Sequence, residues 1–379
     1  MRKPRLPDVE NQERGNSLVD LPFLLLTILL TALGLMMIYS ASYARALYET
    51  GDSAYFFKRQ LVFSLVGIAA MLAISRIKPA LIRKMAFPIL GASVLFLVLV
   101  FVPGIGQSEN GATRWIRLGV SFQPSEIAKL GVILSYAAMI AAFQEKMETF
   151  RWGIAPFAAI LVVIVILLRL EPHNSAIVII ACTAGAMLFL GGVKYRWFIL
   201  GGSVMLLGLV LILGAGGYEA SRITAWQDPF SDPTDDGYQI IQSLYAIGSG
   251  GLLGLGFGQG RQKYLYLPEE HNDYIFAIAC EELGLVGAVA ILTLYALLIL
   301  RGYWIAMHVR DRFLALTVAG ITTLTALQVF FNIGVVTNLL PSTGISLPFF
   351  SYGGTALLIQ LGEMGLILGA SRQCSAGFL

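Results

Sequence analysis

The chain has 379 residues, 57% of them hydrophobic and only 13% charged, with a mean hydropathy of +0.75. A soluble globular domain does not reach that balance, so the sequence reads as an integral membrane protein. The net charge of +3 gives no indication of nucleic acid, and Cys182, Cys280 and Cys374 have neither paired nor ligand-like spacing, which argues against a disulfide framework or a zinc site.

In chain order, residues 1–18 are polar and read as a cytoplasmic tail. The apolar run behind them is longer than a signal-peptide core and lacks a small-residue cleavage pattern, so it is expected to be retained. Runs long enough to cross the hydrocarbon core predict about ten helices, over 19–43, 57–75, 82–102, 124–143, 153–169, 175–191, 196–214, 273–300, 313–337 and 353–371. The fold class is therefore all-α and polytopic, one membrane domain over 19–371 with a short tail, 372–379. With the N-terminus inside, sixteen of the 26 lysines and arginines fall in inner segments and nine in outer ones, which puts both termini in the cytoplasm.

Three outer connections break the apolar pattern. Residues 103–123, "PGIGQSENGATRWIRLGVSFQ", are turn-rich and read as a loop in which Trp115 is an interfacial anchor. Residues 338–352 carry two prolines and, with Gly344 and the Gly353–Gly354 pair that follows, three glycines stand between the helices, which predicts a bent, non-helical surface segment. The largest loop spans about 215–272, is acidic overall, and has a Gly-rich, moderately apolar middle compatible with a short or re-entrant helix sheltered by protein. No β-α-β context surrounds its Gly-x-Gly spacing, so a nucleotide site is not supported.

Ionisable groups in or beside apolar spans need a reason. Glu126 and Lys129 lie three residues apart, hence on one helical face, and can pair with each other. That pair has two readings, a purely structural ion pair or, with Arg114 and Arg117 from the preceding loop, a receptor for an anionic group. Asp273 opens the eighth span at the same outer face. Its bland reading is a helix cap, its functional reading a lone base that deprotonates a hydroxyl when the donor already carries a good leaving group. Helical geometry keeps Glu281 and Glu282 from pairing with Asp273, which marks them as structural. His173 and Glu363 read as hydrogen-bonding groups of the bundle and His308 as solvated.

Four stretches, "GLMMIYSAS" at 34–42, "GATRWIRLGVSFQPSEIAKL" at 111–130, the run 237–284 containing "PEEHNDYIFAIACEELG", and "NIGVVTNLLPSTGISLPFFSYGGTALL" at 332–357, resemble the SEDS family (shape, elongation, division and sporulation) of FtsW, RodA and SpoVE peptidoglycan glycosyltransferases. The resemblance implies ten spans, both termini inside, and polymerisation of lipid II in β-1,4 linkage with inversion and release of undecaprenyl diphosphate. It carries the essential acid onto Asp273 in "HNDYIF" and the substrate-binding residues onto Arg114, Glu126 and Lys129. Lys263 and His271, in the loop that leads to the acid, complete the expected substrate-binding set. "EPHNS" at 171–175 departs from the family's usual Gln-Pro-Asp-Leu-Gly, so no chemistry is assigned to that loop. The wording is closer to the division and sporulation branch.

The expected partners are a class B, transpeptidase-type penicillin-binding protein and other division or elongation membrane proteins, with the site on the outer face of the bacterial inner membrane. No cofactor is required; a divalent cation, Mg or Mn, is compatible with a diphosphate beside an acidic loop. The rival readings are a lipid II flippase, which needs polar residues along a transbilayer path, and a non-catalytic division scaffold.

Overall fold

A computed structural model describes residues 19–109, 112–118, 120–203, 218–234 and 237–374. The predicted tail 1–18, the second half of the predicted span 196–214 and the end of the tail 372–379 lie outside the described residues. The bundle comprises α1 (Leu21–Thr50), α2 (Tyr55–Ile74), α3 (Pro79–Leu99), α4 (Pro124–Ala142), α5 (Ala155–Leu170), α6 (Asn174–Leu190), α7 (Tyr218–Gln227), α8 (Tyr238–Gly250), α9 (Ile275–His308), α10 (Arg312–Val336) and α11 (Gly354–Ser371). Residues 195–203 are also helical. Eight of the described helices are long and apolar enough to cross a membrane, and α6 is a shorter apolar helix.

Helices begin where local chemistry directs. Asp20 accepts the Phe23 N–H at 2.9 Å and caps α1, Asp311 accepts the Leu314 N–H at 3.0 Å and caps α10, and prolines enter α1, α3, α4 and α5 in the first turn. The most apolar window of α4 is 72% buried and that of α10 67%, against 22% for α2 and α5. So α4 and α10 form the centre, in contact with each other and with α6, while α2, α3 and α5 present wide apolar faces outward as lipid-facing helices do.

One outer connection differs from expectation and another follows it. Residues 103–123 are not a plain loop: β1 (Gly106–Glu109), β2 (Ala112–Leu118) and β3 (Val120–Phe122) form an antiparallel sheet in the order β1-β2-β3. Short polar strands carry too little apolar alternation to be read from sequence, so the all-α class gains a small sheet. The long outer segment is largely ordered in its described parts, with α7, α8 and a Gly-rich coil. The expected helix in its middle is α8, whose Ile240, Ile241, Ser243 and Ala246 are buried.

That coil meets a break in α9. Gly284 has φ +66° and interrupts the helix, and the chain from Gly251 to Gly256 pairs with the opened turn. Leu255 N–H and Gly256 N–H donate to the Glu281 and Glu282 carbonyls at 3.0 Å each, while Leu285 N–H donates to Gly251 O at 2.9 Å. The Glu281 carboxylate accepts the Arg261 N–H at 2.8 Å and the Glu282 carboxylate accepts the Gly258 N–H at 3.0 Å. Irregular backbone is tolerated at membrane depth where protein supplies its hydrogen bonds, and these two glutamates help supply them.

Candidate active site

Asp273 stands in the turn that leads into α9, and its surroundings are stitched from three distant segments. Asn332 of α10 donates through its amide to both Asp273 O and Ile345 O, each at 2.7 Å. Ser351 Oγ donates to Asn272 O at 2.8 Å, and Tyr352 N–H donates to His271 O at 2.9 Å. The bent segment 338–353, expected from its prolines and glycines, is thus laced along the chain that carries the acid. At Gly344, φ is +65° and a Cβ would lie 3.2 Å from Asp273 Oδ2. Glycine there both permits the turn and leaves room beside the carboxylate.

The carboxylate of Asp273 is half-buried and accepts no hydrogen bond from the described residues. The capping reading does not hold, because α9 starts at Ile275, Tyr274 is its N-cap and no side chain caps that end. Burial chiefly, and then the nearby Glu269 carboxylate, pushes the pKa of Asp273 up to about 6, while Arg222, Arg114 and His271 pull against the rise.

Arg114 is delivered by β2. Side chains alternate across a strand, so Arg114 shares its face with the buried Ile116, whereas Arg117 is exposed on the other face. Arg114 donates to Pro172 O at 2.5 Å. Arg117 therefore does not join the anion receptor. A second cation was not expected at all: Arg222 of α7 donates to Ser342 O at 3.0 Å, and α7 is tied to the same segment by Trp226 Nε1 donating to Asn338 O at 3.1 Å. In sequence Arg222 is merely one cation in a long acidic loop, with no spacing that relates it to Asp273.

Lys129 and Glu126 form the expected ion pair, at 2.7 Å and largely buried. They line a cavity of ≈ 40 Å³ together with Glu363 of α11, and Asp273 is not among its lining residues. Lys129 instead acts electrostatically on His173, which Arg114 also influences. The Lys129 pair and the Asp273 turn thus flank one Arg114-centred group rather than sharing a single pocket.

Two expected substrate-binding residues are otherwise engaged. Lys263 is 2% exposed, with its ammonium 2.8 Å from Glu282 Oε1 and 3.1 Å from Ser40 Oγ, so its charge is taken up by a buried acid. His271 is 4% exposed, its ring 4.6 Å from Phe56 and 5.6 Å from Tyr352, and Glu270 beside it is taken by Arg45 at 2.8 Å. It supports the turn that carries Asp273. The loop 171–175, to which no chemistry was assigned, lies against Arg114, and Ser175 Oγ donates to Thr343 O beside Gly344. Among the described residues no group of three or more His, Cys, Asp or Glu side chains is arranged to hold a metal ion.

Comparison with known proteins agrees with this architecture. Residues 20–376 match the FtsW, RodA and SpoVE family, described as cell cycle proteins. A probable peptidoglycan glycosyltransferase FtsW of Geobacter metallireducens is 41% identical over 356 residues, covering 93% of this chain and 95% of that protein. Stage V sporulation protein E of Bacillus subtilis is 40% identical over 354 residues, covering 93% and 97%. Among solved structures, a chain of a peptidoglycan synthase complex superposes with a TM-score of 0.78 at 28% identity, covering 93% of this chain and 98% of that one. The rod shape determining protein RodA of Thermus thermophilus gives a TM-score of 0.69 at 28% identity, covering 93% and 97%.

Proposed function

Because the chain belongs to the FtsW, RodA and SpoVE family of cell cycle proteins, we propose that it polymerises lipid II with Asp273 as general base. The chain is a multi-pass membrane protein and a peptidoglycan glycosyltransferase, the activity its relatives' names carry. In the proposed reaction Asp273 takes the proton of the acceptor's GlcNAc 4-hydroxyl as that oxygen attacks the anomeric carbon of the donor. The bond to the diphosphate breaks on the opposite face, its electron pair leaves with the diphosphate, and the configuration inverts.

The observation that carries this reading is a carboxylate with no hydrogen-bond donor among the described residues, raised to a pKa of about 6 and under the influence of two guanidinium groups. A general base needs a free lone pair and a pKa near the working pH, and Asp273 has both. Arg114 and Arg222 are anchored through backbone carbonyls, so they are pre-positioned for an anion that gathers charge as it leaves. Glu126 pairs with Lys129 at 2.7 Å and orients it. A divalent cation, if one binds, would supply positive charge to the departing diphosphate, and no step is assigned to it because no three acidic or histidine side chains cluster to hold it among the described residues. Transport finds less support: the polar cavity around Lys129 and Glu363, at ≈ 40 Å³, has room for a few water molecules and not for a sugar.

The site faces outward from the bacterial inner membrane in this reading, and the partner is a class B penicillin-binding protein that crosslinks the new strand. The likeness to a chain of a peptidoglycan synthase complex supports such a partner. The test is polymer formation from labelled lipid II by the protein with its partner. Asp273→Asn is expected to lower the rate at least a hundredfold while lipid II binding persists, in line with the contribution of a positioned base. An active Asn variant would refute the assignment.

A further inference from the structure

Close to this site lies a buried acid with no assigned task. Glu171 caps the C-terminal end of α5, is 1% exposed, and neither carboxyl oxygen has a hydrogen-bond partner among the described residues. A buried carboxylate without donors is costly, so the stable form is the neutral acid. Burial accordingly pushes its pKa up to about 8, with Arg114 pulling the other way. The charged group facing Glu171 is thus Arg114 of β2. Arg169, two residues earlier, donates to Asn174 Oδ1 at 2.7 Å. His173 has its pKa pushed down to about 3, by burial first and by Arg114 and Lys129 next, so it is neutral and adds no charge beside Glu171.

A carboxylic acid at this place suits an anion better than a carboxylate would. It offers an O–H donor without charge, directly beside the arginine already anchored at Pro172. We propose that Glu171 binds the donor's diphosphate as a carboxylic acid, its O–H donating to a phosphate oxygen that Arg114 also holds. The inference rests on the reading of Arg114 as diphosphate receptor. In the complex the phosphate charge stabilises the protonated form further, so binding takes up a proton wherever the free protein has lost it. Below about pH 8 the acid is protonated and binding is at full strength. Above that value affinity falls about tenfold per pH unit. A diphosphate diester loses its acidic protons far below neutral pH and adds no dependence of its own in this range.

The experiment measures binding of fluorescent lipid II to the full chain in nanodiscs, in an Asp273→Asn background, at pH 7 and pH 9. With Glu171 in place, Kd is expected to rise about tenfold between the two. Glu171→Gln, which keeps a donor and loses the titration, is expected to bind at pH 7 as the parent does and to change less than about twofold at pH 9; Glu171→Ala is expected to bind weakly at both. A Gln variant that keeps the tenfold pH effect, or an Ala variant that binds as the parent does with an unchanged melting temperature, would overturn the proposal. Arg114→Ala with undiminished binding would remove the receptor reading and this inference with it. Polymer formation by Asp273→Asn, in contrast, would end only the general-base assignment.

Discussion

An aspartate with a pKa of about 6 is a stronger base than one at the usual carboxylate value, yet it is mostly ionised at neutral pH. The shift has a direct consequence for kinetics. The active form is the ionised one, so the rate at low lipid II concentration is expected to fall about tenfold per unit as pH drops below about 6 and to hold level from there to about 8, above which the loss of the Glu171 proton lowers it again. A limb with its midpoint near 4 would mean that the burial raising this acid is lost in the working enzyme. Sequence pointed to Asp273 because an acid at the edge of an apolar run is costly and conspicuous. It did not point to Arg222, nor to the buried contacts that hold His271 and Lys263. Whether a polar side chain faces a ligand or a neighbouring ring depends on tertiary partners such as Phe56, Tyr352, Glu282 and Ser40.

Elements were legible in proportion to the length of their apolar runs. α4 occupies Pro124–Ala142 against an expected 124–143, since Pro124 at its start is a local signal. α9 was expected over 273–300 and runs from Ile275 to His308, with a break that its periodicity hides. The cause of that break is Gly284, where a Cβ would lie 2.2 Å from Gly254 N. Gly284→Ala is therefore expected to strain the backbone by roughly 1–3 kcal/mol and to unseat the Gly-rich coil, since the left-handed conformation disfavours any side chain. A clear drop in melting temperature, with polymerising activity reduced in proportion, is the expected result. An unchanged transition would show that the coil is not held by this contact. The sheet at 106–122 escaped notice because three short strands carry few buried positions, yet its two-residue alternation is what turns Arg114 inward and Arg117 outward.

At the scale of the molecule, long-range ion pairs pin the ends of the bundle. Arg301 holds Asp20 at 2.7 Å and ties α9 to the start of α1, while Lys263 and Ser40 close on Glu282 beneath the outer segment. Removing one partner of a buried pair strands the other charge. Lys263→Ala is expected to destabilise the protein by roughly 3–5 kcal/mol, and the double variant Lys263→Met with Glu282→Gln to recover much of it. Thermal unfolding in detergent checks both, and equal melting temperatures for Lys263→Ala and the parent would assign the pair no structural weight.

Hydropathy and the placement of charge sufficed for the class of molecule, the rough number and order of its helices, the bent connection after residue 337 and the acid most worth testing. These follow from transfer free energies, which each segment obeys locally. The company that acid keeps was decided elsewhere. Arg114, Arg222 and Gly344 come from strand, outer helix and turn, and only packing of the whole chain brings them to Asp273, and Glu171 to Arg114, because electrostatic fields and hydrogen bonds act through space and not along the sequence.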